Sequence, residues 1–183
     1  RAMSEHSANR GSSSVAEKHK LFLLFRIGDE RYALEAVEIA EVLPRLQLKA
    51  IAHAPRWVAG VFVHREVMIP VIDLAALTFG ESAQVRTSTR LVLVHYRVSA
   101  ERPSQLLGLI IEQATDTLRC APSEFKEYGL DNDAFAAYLG PIREDKSGLI
   151  QWVRVQDLLT DPVRKLLFPV PPAHIELLEE GHE

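Results

Sequence analysis

The sequence predicts a mainly β protein, built as two small barrels of short strands. Three observations carry that expectation. Short apolar runs such as Leu21 to Ile27, Val67 to Leu74, Leu91 to Tyr96 and Leu106 to Ile111 recur between Gly, Pro, Asp and charged clusters. A hairpin pattern occurs twice. Gly60 opens a strand that leads to a charged Arg-Glu tip, a returning strand and an Asp73-Leu74 exit. Gly140 opens the same order, through Arg143-Glu144, to an Asp157-Leu158 exit, with a turn four residues longer. Upstream, Val37-Glu38-Ile39-Ala40 resembles Ile111-Glu112-Gln113-Ala114. Two similar halves of short strands suit two packed barrels.

Each element follows from local chemistry. Leu21 to Ile27 is dense in Leu and Phe, as a strand buried on both faces requires. Gly28-Asp29-Glu30 is a turn, and Arg31 to Leu34 returns as a hairpin partner. Between Glu35 and Leu43 the spacing of Val37, Ile39 and Val42 fits either a strand or a helical turn. It is read as a turn around Ala36 followed by a strand through Val42, which Pro44 ends. His53 to Pro55 is a loop, with Pro55 placed to start a helix. Trp57 to Val63 and Val67 to Leu74 form the first hairpin. Ala75 to Phe79 form a short helix stopped by Gly80.

Glu81 to Thr89 is a polar linker before a strand over Leu91 to Tyr96. Arg97 to Gln105 is a charged connection. The strand from Leu106 to Ile111 continues by alternation toward Leu118. Pro122 to Ala136 is loop with one helical turn. Leu139 to Arg143 and Leu149 to Val155 make the last hairpin around residues 144–148. Asp157 opens a short helix, which Asp161-Pro162 interrupts or restarts.

Composition excludes several classes. The chain has 183 residues, enough for one domain or two small ones. Hydrophobic residues make up 47% and charged residues 25%, which is ordinary for a globular protein. A net charge of −4 does not suit a phosphate-neutralising surface, so no nucleic-acid partner is expected. Cys120 is the single cysteine, which leaves no disulfide framework and fits a reducing compartment. No apolar run approaches the ~20 residues of a membrane helix. No direct membrane insertion is expected, and a cytoplasmic location follows as the default.

In order along the chain, the residues that matter next are Gly28 and Tyr32-Ala33-Leu34; Glu41-Val42-Leu43; Gly60-Val61; Arg65; Ile69-Pro70-Val71-Ile72-Asp73-Leu74; Gly108-Leu109 with Glu112; and Asp157-Leu158-Leu159. This ordered set, from about Leu21 to Leu159, resembles the CheW-like coupling domain of bacterial chemosensory systems. Gly-Val…Arg…Ile-Pro-Val-Ile-Asp-Leu is its most specific part. The resemblance implies two intertwined five-stranded SH3-like barrels with a hydrophobic groove between them and short helices. It implies a non-enzymatic adaptor without cofactors. Such an adaptor would join the signalling tip of a methyl-accepting chemoreceptor to the regulatory domain of a CheA-like histidine kinase, at membrane-associated receptor arrays. The expected organisation is a disordered segment at 1–19 with a cloning remnant at Arg1-Ala2, a CheW-like domain at 20–168, and a Pro-rich acidic tail at 169–183.

The sequence departs from the family pattern at the hairpin tip. Arg65-Glu66 stands where the family usually has Arg-Gly, and His64 where it often has Leu. Glycine suits a turn with positive φ, and glutamate adopts it only at a cost. His64 and Glu66 are therefore candidate specificity-altering residues, in a divergent stand-alone paralogue. Arg65 is the leading candidate for receptor contact, because a guanidinium at a loop tip can hold a carboxylate or helix-terminal carbonyls. By the same resemblance Ile39, Glu41 and Ala114 line the receptor-facing groove. Set against these readings, Arg65 is a solvated turn residue or a partner of Glu66, and Ile39 is core.

Val37 and Val42 are read as core, Asp73 as a helix N-cap, and Trp57 and Trp152 as core or interface aromatics. The histidines have no ligand spacing, so no metal site is expected. Two other readings stay open. A small acid-base hydrolase would use His64, Glu66 and Asp73, but the turn between them leaves their geometry undefined, and no nucleophile motif accompanies them. A generic SH3-like peptide binder would need an aromatic cluster, and aromatic content is 7%.

Overall fold

The computed structural model describes residues 16–83, 87–128 and 136–170. The expected disorder of 1–19 and the expected tail at 169–183 fall largely outside these residues. Glu17 is described, and its carboxylate accepts hydrogen bonds from the Ser123 backbone N–H and hydroxyl.

Among the described residues, nine strands and two short helices make up the fold. In chain order they are β1 (Lys20–Ile27), β2 (Glu30–Glu35), β3 (Ile39–Pro44), β4 (Val58–His64), β5 (Val67–Asp73), α1 (Leu74–Phe79), β6 (Thr89–Tyr96), β7 (Gln105–Cys120), β8 (Leu139–Asp145), β9 (Gly148–Val153) and α2 (Asp161–Leu167). Single 3-10 turns lie at Ala36–Glu38, Pro122–Glu124 and Val155–Asp157.

The pairings resolve into two five-stranded halves with one topology. In the first, the order is β3-β6-β7-β5-β4; in the second, β7-β1-β2-β9-β8. Read in those orders, both halves run antiparallel, antiparallel, parallel, antiparallel. Each is closed by a bridge from the segment after its leading strand: Lys49 to Val61 in the first and Lys126 to Ile142 in the second. The predicted mainly β class, with two intertwined five-stranded barrels, is thus the observed fold. The intertwining has a concrete form. β7 serves both halves, and the first two strands of the chain complete the second half.

Core placement explains the continuous apolar runs. Ile69, Val71, Leu91, Leu93 and Ile110 fill the first barrel. Phe22, Ala33, Cys120, Phe125 and Ile150 fill the second, with the Trp152 ring edge-on to Phe22 at 4.9 Å. A third, larger cluster joins the two and draws on both, including Phe25, Leu34, Ile72, Val92, Leu107 and Val153. A strand such as β6 sends Leu91 and Leu93 inward and Val92 and Val94 to the joint, so neither face can be polar. Burial pushes the Cys120 thiol up, which keeps it a protonated hydrophobe.

Several expectations are corrected. Pro55 starts a turn, closed by Val58 N–H to the Pro55 carbonyl at 3.0 Å, and not a helix. Val37 and Val42, read as core, are 75% and 47% exposed. Val37 rides the 3-10 turn, and Val42 lies on the outward phase of β3. The second hairpin does not have a longer turn. Asp145 pairs with Gly148, so its tip is Lys146-Ser147, and Arg143 and Glu144 belong to β8. Both hairpins therefore turn in two residues.

The second tip is held by charge. Arg31 of β2 donates to both Asp145 carboxylate oxygens, at 2.9 and 3.0 Å, across the intervening β9. Asp145 also accepts from the Ser147 backbone N–H at 2.8 Å. The Arg31 hydrogen bonds, helped by Ser147 and Arg143, hold the Asp145 carboxyl below the usual carboxylate range against the opposing effect of burial.

Two predictions follow from this architecture. At Gly60, φ is +143°, and an added Cβ would sit 2.4 Å from the Lys49 carbonyl oxygen that closes the first barrel. Gly60→Ala is expected to lower stability by roughly 2–4 kcal/mol, read as a shifted urea midpoint. A carboxyl whose folded pKa is lowered contributes stability that is present above its unfolded value, near pH 4, and is lost as pH falls further. Asp145→Asn is therefore destabilising at pH 7, and the deficit relative to the wild type shrinks below about pH 4. Urea titrations of both proteins from pH 7 to below 3 check this.

Candidate functional site

The first hairpin joins β4 to β5 through Arg65-Glu66, with His64 paired to Val67 at its base. Both tip residues have positive φ, +50° at Arg65 and +68° at Glu66. That pair of angles marks a type I′ turn, the two-residue loop whose twist matches the flanking strands. The turn keeps the left-handed geometry that a glycine would favour, and Glu66 adopts it with a Cβ in place.

Three of the candidate residues come together here. Glu41 lies on β3 just after a bulge, where the pairing shifts between Ile39–Val94 and Glu41–Leu93. Its Oε2 accepts a hydrogen bond from His64 Nε2 at 2.9 Å. An ionised carboxylate only accepts, so the proton in this contact belongs to His64 Nε2. The other oxygen, Oε1, lies 3.5 Å from Arg65 Nη2. Arg65 is thus paired with Glu41 rather than with Glu66. It remains 78% exposed, so the pair contributes ~1 kcal/mol or less to stability.

The remaining candidates are placed differently. Ile39 and Ala114 are partly buried against the cluster that joins the barrels. They sit beside the joint, half inside it. Glu66 is exposed at the turn. Sequence reasoning missed the apolar surroundings of the tip. Val63, Val67 and Met68, on the two strands that the tip joins, are all exposed. Val63 and Met68 form a cross-strand pair beside a cavity of about 440 Å³, also lined by Leu46, Val61 and Phe62. The V-h-R-E-V-M run carried this signal, because alternation had to put some of its apolar residues outside.

The acid-base alternative fails on geometry. His64 and Asp73 lie at opposite ends of the hairpin, since His64 pairs with Val67 and Val58 with Ile72. Seven strand residues separate such ends by roughly 20 Å. Asp73 is the predicted N-cap of α1. Its Oδ1 accepts from the Ala75 and Ala76 N–H groups and its Oδ2 from Ala83 N–H at 2.8 Å. Asp73 also lines a cavity of about 830 Å³ with Arg45, Arg56 and Ser82, but its oxygens are engaged. Among the described residues, no three His, Cys, Asp or Glu side chains converge as metal ligands do, and no helix is long and apolar enough to cross a membrane.

The left-handed conformation of Glu66 costs roughly 1–2 kcal/mol. Glu66→Gly is expected to raise the thermal midpoint by about 2–4 °C, while Glu66→Ala leaves it near the wild type. Differential scanning calorimetry distinguishes the two.

Comparison with known proteins agrees with this architecture. A family model described as the CheW-like domain matches residues 21–163. Chemotaxis protein CheW of Helicobacter pylori is 27% identical over 160 residues, covering 85% of this chain and 91% of that protein. Chemotaxis protein CheW of Klebsiella aerogenes is 22% identical over 105 residues, 57% of this chain and 60% of that one. Protein FrzA of Myxococcus xanthus is 25% identical over 131 residues, 72% of this chain and 78% of that one. The crystal structure of the scaffolding protein TtCheW from Thermoanaerobacter tengcongensis superposes with a TM-score of 0.67 at 18% identity, covering 86% of this chain and 94% of that one. The chain belongs to the CheW-like domain family.

Proposed function

We propose that this chain couples the signalling tip of a methyl-accepting chemoreceptor to the regulatory domain of a CheA-like histidine kinase, in a cytoplasmic array at the membrane. The match of the family model to residues 21–163 carries the reading, and relatives named chemotaxis protein support it. The receptor-facing surface is the β4–β5 tip with the neighbouring face of β3. Arg65 supplies a guanidinium on a tight turn, and Val63, Val67 and Met68 on the two strands of its hairpin are exposed. An arginine set among aliphatic side chains suits a helical partner that offers one carboxylate and an apolar stripe. Ile39 and Ala114 line the groove side of that surface, and His64 and Glu66 adapt it to this chain's own receptor. The kinase domain, of the same fold, docks at the exposed end of one barrel.

Arg65→Glu reverses the charge at the tip. Binding to a soluble receptor-tip fragment is expected to fall by about tenfold or more, with the unfolding free energy changed by less than ~1 kcal/mol. Calorimetric titration with a parallel denaturation curve measures both. A folded variant that binds as the wild type does removes Arg65 from the contact.

A further inference from the structure

One carboxylate at the docking tip serves two nitrogen donors of different standing. Glu41 Oε2 is held by His64 at 2.9 Å, and Glu41 Oε1 faces Arg65 at 3.5 Å. The His64 side chain is largely buried, with its ring 5.9 Å from that of Phe62. The Arg65 side chain is open to solvent. The contact to His64 is short and part-buried, and the one to Arg65 is longer and open to solvent. Of the charged groups near the imidazole, Glu41 on β3 bonds it, Arg65 and Glu66 follow it on the turn, and Lys49 is bridged to Val61 further down β4. From β5, uncharged Val67 is paired opposite it.

We propose that His64 is the positioning residue of this tip. Through Glu41 it sets how firmly Arg65 is held to the protein, and so how readily Arg65 turns to a carboxylate on a partner. The proposal rests on the docking reading above and adds its control. A neutral His64 donates one hydrogen bond and leaves the charge of Glu41 to Arg65. A second proton on the ring places another cation against the same carboxylate. Arg65 then shares its counter-charge and meets a like charge on the adjoining residue, so its 3.5 Å pair loosens. The added positive charge also favours an incoming carboxylate. Both effects have one sign: acidification strengthens docking of an acidic partner.

The test uses the full chain. Side-chain NMR follows the His64 ring and the Arg65 Nε–H from pH 5.5 to 8. Binding of a soluble receptor-tip fragment is measured at pH 6 and pH 8. In the wild type, the Arg65 signal is expected to move with the same midpoint as the His64 ring, and binding to be about two- to fivefold tighter at pH 6. In His64→Gln, which keeps a neutral donor and cannot titrate, that pH dependence is expected to vanish. In Glu41→Gln the Arg65 signal no longer follows the ring. An Arg65 signal that stays flat while His64 titrates overturns the proposal. So does a His64→Gln variant that retains the wild-type pH dependence. Coupling in the free chain without fragment binding at either pH upholds the positioning of Arg65 by His64 and overturns the docking reading instead.

Discussion

β7 is hydrogen-bonded on behalf of two barrels. Its first part lies between β6 and the parallel β5, and its second part lies beside β1. Because both barrels share this strand, neither can rotate against the other without breaking a ladder. The joint between them is then free to be apolar, and the largest cluster of buried side chains forms there. Gly108 reflects how tightly β7 is packed at this crossing, since a Cβ would meet Val71 Cγ2 at 2.8 Å. The placement of the β4–β5 tip relative to β3 depends on this frame, through β5 on β7 and β3 on β6.

Much of this frame was legible in the sequence, for a physical reason. Strands that face a barrel interior on one side and the joint on the other must be apolar throughout, and such runs stand out at Leu91 to Tyr96 and Val67 to Leu74. Asp73 and Gly80 announced α1, because an N-cap carboxylate and a left-handed glycine are local requirements. What could not be read were consequences of distant pairing. The tip of the second hairpin depends on the Asp145–Gly148 register, which the Arg-Glu spelling of residues 143–144 concealed. Val42 looks like core until β3 is given an outer face. The Glu41–His64 contact joins residues 23 apart in sequence and leaves no periodic trace. Arg65 was legible as a tip residue, whereas its partner was not.

The two halves use equivalent hairpins in opposite ways. In the second, an arginine from β2 grips Asp145 at the base of the tip with two short hydrogen bonds, and the exposed turn is Lys146-Ser147. In the first, the base residue His64 engages Glu41 and the arginine stands at the turn itself. One arrangement spends its guanidinium on fixing the hairpin. The other leaves the guanidinium exposed on a turn whose backbone is already in a restricted conformation. A contact residue on such a turn loses less conformational freedom on binding than one on a loose loop.

The completion of the second barrel by β1 and β2 also has a temporal meaning. During synthesis, all strands of the first barrel are available once β7 has emerged. β2, by contrast, must wait for β9, and Tyr32 pairs with Gln151 near the opposite end of the described chain. Until then the edge of β2, with Leu34 and Ala33 beside it, has no ladder partner on that side. Unpaired apolar edges are the places where nascent chains associate wrongly. The parallel β2–β9 contact is therefore a late, long-range step, and it sets the interval over which the newborn chain needs protection.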